Sequence, residues 1–150
     1  MSSKEAKKFL IVGIGNTIRS DDGVGAYVVS EIGKQHIPGV EIRLAQQLNL
    51  EFLEEAIEFE KILLVDAAFS DEGLVFRKIL SDGDQPVISS HHLSPELFLY
   101  LAKRIYHKDL DLYLCSIGGK SFGLGEQFSD FVTLLAKKAV SEICAFLKGK

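Results

Sequence analysis

Carboxylates and imidazoles concentrate at three points of the chain. Asp21 and Asp22 follow a glycine-containing stretch, Asp66 directly follows four apolar residues, and His91 and His92 precede a Leu-Ser-Pro sequence. A charged group next to an apolar run must be paired, hydrogen-bonded or metal-bound, because burying it alone is costly. Two carboxylates and a histidine from separate segments form a mixed oxygen and nitrogen ligand set with open positions, which suits a divalent transition metal.

Each of these residues also has a structural explanation. Asp21 and Asp22 can cap the helix that follows them and interact with its positive end, and for Asp21 this is the simpler interpretation. Asp66 can accept hydrogen bonds from loop N–H groups, and a lone histidine in a loop is usually a solvated polar residue. A metal site is favoured over these structural explanations only if the three segments that carry the aspartates and histidines meet at one place.

The elements that must position these residues follow from the hydrophobic pattern. Apolar runs predict buried strands at 9–14, 40–44, 61–66 and 112–117, and apolar residues at helical spacing predict four helices between and after them. Asn49, Ser94 and Ser129 are predicted to cap the last three helices. This alternation predicts an α/β fold, a three-layer sandwich with a mostly parallel five-stranded sheet and helices on both faces.

A fifth strand, Leu74 to Leu80, is predicted to be antiparallel, since only a short turn separates it from the strand before it. Ligands of open α/β sheets bind beyond the carboxyl ends of the strands. Asp66, one of Asp21 and Asp22, and one of His91 and His92 are therefore expected to meet at that edge. The glycine-containing loop from Gly118 to Gln127, with Phe122 as its large apolar residue, is expected to line the path of a substrate there.

Composition narrows the function classes. The 150 residues, 47% of them hydrophobic, predict a single domain spanning 1–150, and the net charge of −4 without a basic stripe argues against nucleic acid as a partner. No apolar run is long enough to cross a membrane. Cys115 and Cys144 have neither a CxxC spacing nor a nearby histidine, which indicates reduced thiols of a cytoplasmic protein. We expect a monomer or a weak homo-oligomer.

The motifs resemble the hydrogenase maturation endopeptidases. The matching stretches are Gly13-Ile-Gly15-Asn16 with Asp21-Asp22-Gly23-Val-Gly25, Val65-Asp66-Ala67, and Ser90-His91 ahead of a helix. The resemblance implies an aspartic-type endopeptidase that removes the C-terminal peptide of a nickel-iron hydrogenase large-subunit precursor after nickel insertion. It implies Asp22, Asp66 and His91 as metal-binding and catalytic residues, with His92 as the substitute for His91, and nickel that the substrate can supply and other divalent metals can replace.

The segment Gln47-Leu-Asn-Leu-Glu51 is similar to that of the subgroup associated with bidirectional, cofactor-linked hydrogenases. Two other functions remain open on sequence alone. The first is a nickel-binding assembly factor that holds the precursor without cutting it. The second is a peptidyl-tRNA hydrolase-like enzyme, because the stretch Leu10 to Asn16 resembles the N-terminal sequence of such enzymes. Whether the metal polarises the scissile carbonyl, lowers the pKa of a bound water or only docks the substrate is also open.

Overall fold

The computed structural model describes residues 8–15, 23–69, 73–80, 93–119 and 130–149. Its centre is a five-stranded sheet in the order β2-β1-β3-β5-β4. Neighbouring strands are parallel except β4, which is antiparallel to β5, so the predicted mixed sheet is confirmed. The strands are β1 (Phe9–Ile14), β2 (Val40–Ala45), β3 (Lys61–Phe69), β4 (Leu74–Lys78) and β5 (Asp111–Gly119).

Helices cover both faces of this sheet, as the sequence predicts. They are α1 (Val24–Gly33), α2 (Phe52–Ala56), α3 (Pro95–Tyr106) and α4 (Asp130–Leu147). Side chains alternate between the faces of a strand. Thus Leu64 packs with α2 and α3, whereas Leu63 and Val65 pack with α1 and α4. Two separate apolar cores result, one on each side of the sheet.

Local capping agrees with two of the three predictions. The Asn49 side chain accepts a hydrogen bond from Phe52 N at 2.9 Å, and Ser94 Oγ accepts one from Leu97 N at 3.0 Å. Proline at the first position of α3 adds to the second cap, because its fixed φ suits a helix start. Ser129 lies outside the described residues.

Strand lengths differ from the expectation at the edge where the parallel strands end. β3 continues three residues past Asp66, because its backbone stays paired with β5 up to the Phe69–Gly119 pair. On its other side, pairing with β1 stops at the Gly13–Val65 pair. A hydrophobic pattern cannot show this extension, since backbone hydrogen bonds to a neighbouring strand sustain it.

Two glycines let α1 lie directly on the sheet. A Cβ on Gly25 would lie closer than 3.0 Å to the carbonyl oxygens of Val65 and Ile14, and one on Gly13 would lie 2.6 Å from Gly25 O. Any side chain here would collide with backbone rather than with a movable group. The close contact fixes the start of α1 against β1 and β3. On β3 the contact is with Val65, the residue directly before Asp66.

Within the described residues, no helix is long and apolar enough to cross a membrane.

Candidate functional site

Asp66 stands where the sheet changes its direction of winding. The chain passes from β1 outward to β2 and then returns to the other side of β1 to form β3. The carboxyl ends of the two strands on either side of such a point leave a crevice that binds ligands in open α/β proteins. Asp66 is the first residue of β3 beyond its pairing with β1, so it borders this crevice.

The Asp66 carboxylate is half-buried and oriented by the backbone. Its Oδ1 accepts a hydrogen bond from Ala67 N at 2.8 Å. By the alternation along β3 it shares the face of Leu64, on the side of α2 and α3. The donor is the next residue of β3 and not a loop N–H group as the sequence suggested, and the bond orients the carboxylate at the sheet edge.

A cavity of about 390 Å³ opens in front of Asp66. Gln46 and Gln47 come to it from the end of β2, and Leu93 and Pro95 come from the start of α3. Its described lining residues are Ile14, Gly15, Gln46, Gln47, Leu48, Asp66, Ala67, Leu93, Pro95 and Leu114. Four segments that are distant in sequence therefore converge on one carboxylate.

The predicted ligand set is only partly covered by the structure. Asp66 lies in the cavity, whereas Asp22, His91 and its substitute His92 lie outside the described residues, as do Asp21 and the loop part 120–127 with Phe122. Two described residues that adjoin undescribed segments, Gly15 and Leu93, both line the cavity. Among the residues that the structure describes, no group of three His, Cys, Asp or Glu side chains could hold a metal.

Gln46 and Gln47 are cavity residues that reasoning from the sequence did not place at the site. The resemblance singled out Gln47 only as a subgroup feature. The signal that could have located both is their position directly after β2, since the carboxyl ends of parallel strands share one edge. With Asp66 they give the cavity oxygen-bearing side chains, a chemistry compatible with a divalent cation.

The cysteines are not part of this site. Cys115 is fully buried on the α1 and α4 face, and burial, with a smaller effect of Glu142, raises the pKa of its thiol to about 12. Cys144 is also buried, and its Sγ donates a hydrogen bond to Gln35 Oε1 at 3.5 Å. Cys115 is thus a neutral core residue rather than a nucleophile.

Comparison with known proteins finds relatives of similar sequence and similar fold. No family profile matches the chain. A Methanocaldococcus jannaschii protein provisionally named as a hydrogenase maturation protease is 30% identical over 154 residues, which cover 95% of this chain and 97% of the relative.

Solved structures share the fold. The [NiFe] hydrogenase maturation protease HycI from Thermococcus kodakarensis superimposes with a TM-score of 0.72 at 24% identity, over 95% of this chain and 93% of that one. The hydrogenase maturating endopeptidase HybD from E. coli gives a TM-score of 0.74 at 19% identity, with the same coverage.

Proposed function

Because this chain belongs to the hydrogenase maturation protease family, we propose that it removes the C-terminal peptide from the large-subunit precursor of a nickel-iron hydrogenase after nickel insertion. The observation that carries the proposal is the near full-length relationship to a protein named for this activity. The cavity at the switch point of the sheet supports it, since it offers a carboxylate where this fold binds ligands.

We propose Asp22, Asp66 and His91 as the residues that bind the nickel carried by the precursor, with His92 as the substitute for His91. Nickel here belongs to the substrate, and other divalent metals can replace it. The support is the position of Asp66 in the cavity, together with Gly15 and Leu93, which adjoin the two segments that hold the other candidates. An aspartate and a histidine added to Asp66 would complete a mixed oxygen and nitrogen set.

Hydrolysis adds water across the peptide bond: the carbonyl carbon gains an oxygen, the C–N bond breaks, and the leaving amine takes a proton. A carboxylate near the attacking water can accept its proton. Asp66 is the described carboxylate of the cavity, and its orientation by Ala67 N suits it to this role. The aspartates and the histidine thus combine substrate docking with proton transfer in the proposed site.

We also propose that the client is a bidirectional, cofactor-linked hydrogenase. The support is that Gln47 and Leu48, which begin the subgroup-like segment, line the same cavity as Asp66. A segment in this place can contact the part of the precursor that differs between hydrogenases.

We further propose that residues 1–150 act as a single domain in the cytoplasm, as a monomer or a weak homo-oligomer. The two free cysteines suit a reducing compartment.

A processing assay tests these assignments. Purified precursor, loaded with nickel or free of it, is incubated with the wild-type chain and with two aspartate variants, and its mass is measured. Asp66→Asn keeps the size of the side chain and its ability to accept from Ala67 N, so it should remain folded yet slow cleavage by about a hundredfold. Asp109→Asn is the matched control, because Asp109 is exposed and pairs with Lys103 on the surface.

We expect the wild type and Asp109→Asn to shorten nickel-loaded precursor only. An unchanged precursor mass with stable binding would show a non-cleaving assembly factor instead. Release of the peptide from a peptidyl-tRNA, with no effect on the precursor, would favour the tRNA-related activity. Equal cleavage by Asp66→Asn and wild type would remove Asp66 from the site.

A further inference from the structure

A second cavity adjoins the one at Asp66. It has a volume of about 360 Å³, and both cavities are lined by Leu114. Its described lining residues are Ala68, Gly73, Val75, Arg77, Leu114, Ser116 and Gly118. It therefore continues the first cavity across β5 to the outer strand β4.

The strand register shows that these residues face the same side as Asp66. Asp66 is paired with Ser116, which is paired with Val75, while Leu114 is paired with Arg77. Paired residues in a sheet share a face. With strands about 4.8 Å apart and a rise of about 3.3 Å per residue, Arg77 lies two strands and two residues from Asp66, or roughly 12 Å between Cα atoms.

Arg77 is the one charged side chain among the described residues that line this second cavity. Its Nη1 lies 3.3 Å from Glu96 Oε2, and the two side chains are 48% and 45% exposed. Ion pairs this exposed contribute little to stability. The guanidinium can exchange Glu96 for another carboxylate at small cost, and its planar fork binds a carboxylate well.

We propose that the second cavity binds the precursor segment that is removed, and that Arg77 binds a carboxylate of this segment. This inference rests on the proposed function. An extended chain advances about 3.4 Å per residue, so 12 Å corresponds to three or four residues beyond the one that lies over Asp66. The carboxylate is an Asp or Glu side chain in a long tail, or the terminal carboxylate in a tail of that length.

A positional scan tests the contact directly. In the first series, each nickel-loaded precursor carries an uncharged tail with a single aspartate, placed at one of the first eight positions after the cleavage site. In the second series, the uncharged tail is shortened one residue at a time, and each length is made with a free and with an amidated C-terminus. Cleavage by the wild type should be fastest in one window of neighbouring positions, by roughly fivefold in kcat/KM. The gain should appear in KM, because a contact remote from the reacting bond binds substrate and transition state alike.

Arg77→Gln should abolish the preference, so that this variant cleaves charged and uncharged tails at equal rates. Lys78→Gln is the matched control: it removes the same charge from the next residue of β4, which lines a different cavity. Arg77→Glu should reverse the preference, so that a lysine in the same window is favoured over aspartate. A reversal cannot come from loss of folding, which would slow all substrates.

Cleavage by the wild type that ignores the position of the aspartate would overturn this inference and leave the proposed function intact. So would an unaltered preference in Arg77→Gln. A wild type that cuts no precursor at all would overturn both. An equal increase in kcat/KM with side-chain and terminal carboxylates would show that Arg77 recognises the negative charge alone. An increase with only one of them would identify the carboxylate that Arg77 binds.

Discussion

Replacing Gly25 by alanine should separate α1 from the sheet beside the candidate site. The new Cβ would lie closer than 3.0 Å to the carbonyl oxygens of Val65 and Ile14. Both oxygens belong to central strands, which cannot move without straining their hydrogen-bonded neighbours. The helix must therefore shift outward, away from the strand that holds Asp66.

The expected size of the effect follows from two opposing contributions. Overpacking of this kind costs about 1–3 kcal/mol, and two backbone contacts place it near the upper end. Alanine in place of glycine within a helix returns about 0.5–1 kcal/mol. The net destabilisation is about 2 kcal/mol, which in a chain of this length lowers Tm by roughly 4–8 °C.

Gly33→Ala provides the matched control in the same helix. There the added Cβ would meet the Cδ1 atom of Ile42 at 2.6 Å, which is the movable end of a side chain. Gly33→Ala should be neutral or slightly stabilising. Urea unfolding and thermal melting of both variants measure the difference, and the precursor assay should show slower cleavage for folded Gly25→Ala only. Equal stability of the two variants would refute the argument from the backbone contact.

Three other predictions concern the site loops and the core. His91→Ala should abolish precursor cleavage and His92→Ala should spare most of it, because adjacent side chains usually point in different directions and the position in the motif favours His91; the reverse result would transfer the role to His92. Phe122→Ser should slow cleavage with little change in Tm, whereas a fall of several degrees with normal cleavage would show that Phe122 is structural. Burial raises the pKa of Cys115 from 9.0 to about 12, so the unfolded chain loses this proton first and stability should fall as pH rises from 9 towards 12. Denaturation at several pH values should show a shallower fall for Cys115→Ala; equal slopes would contradict the assigned cause.

The sequence by itself determined most of the architecture. Buried strands and amphipathic helices have different hydrophobic periods, and a short turn after β3 excluded a parallel crossover to β4. Asp66 was recognisable because a carboxylate directly after four apolar residues is unusual. The capping roles of Asn49 and Ser94 were readable too, since they depend on side chains within three residues.

Only the tertiary structure decided which segments meet. β4 lies beside β5 rather than β3, and β3 runs on past Asp66, because backbone hydrogen bonds to a neighbouring strand carry no signature in side-chain type. Side-chain type also gives no sign that Gln46 and Leu93 line the same cavity as Asp66, or that Arg77 lies on the same face of the sheet as Asp66, two strands away. A local pattern specifies elements and caps, whereas strand order and register arise from the packing of the whole sheet.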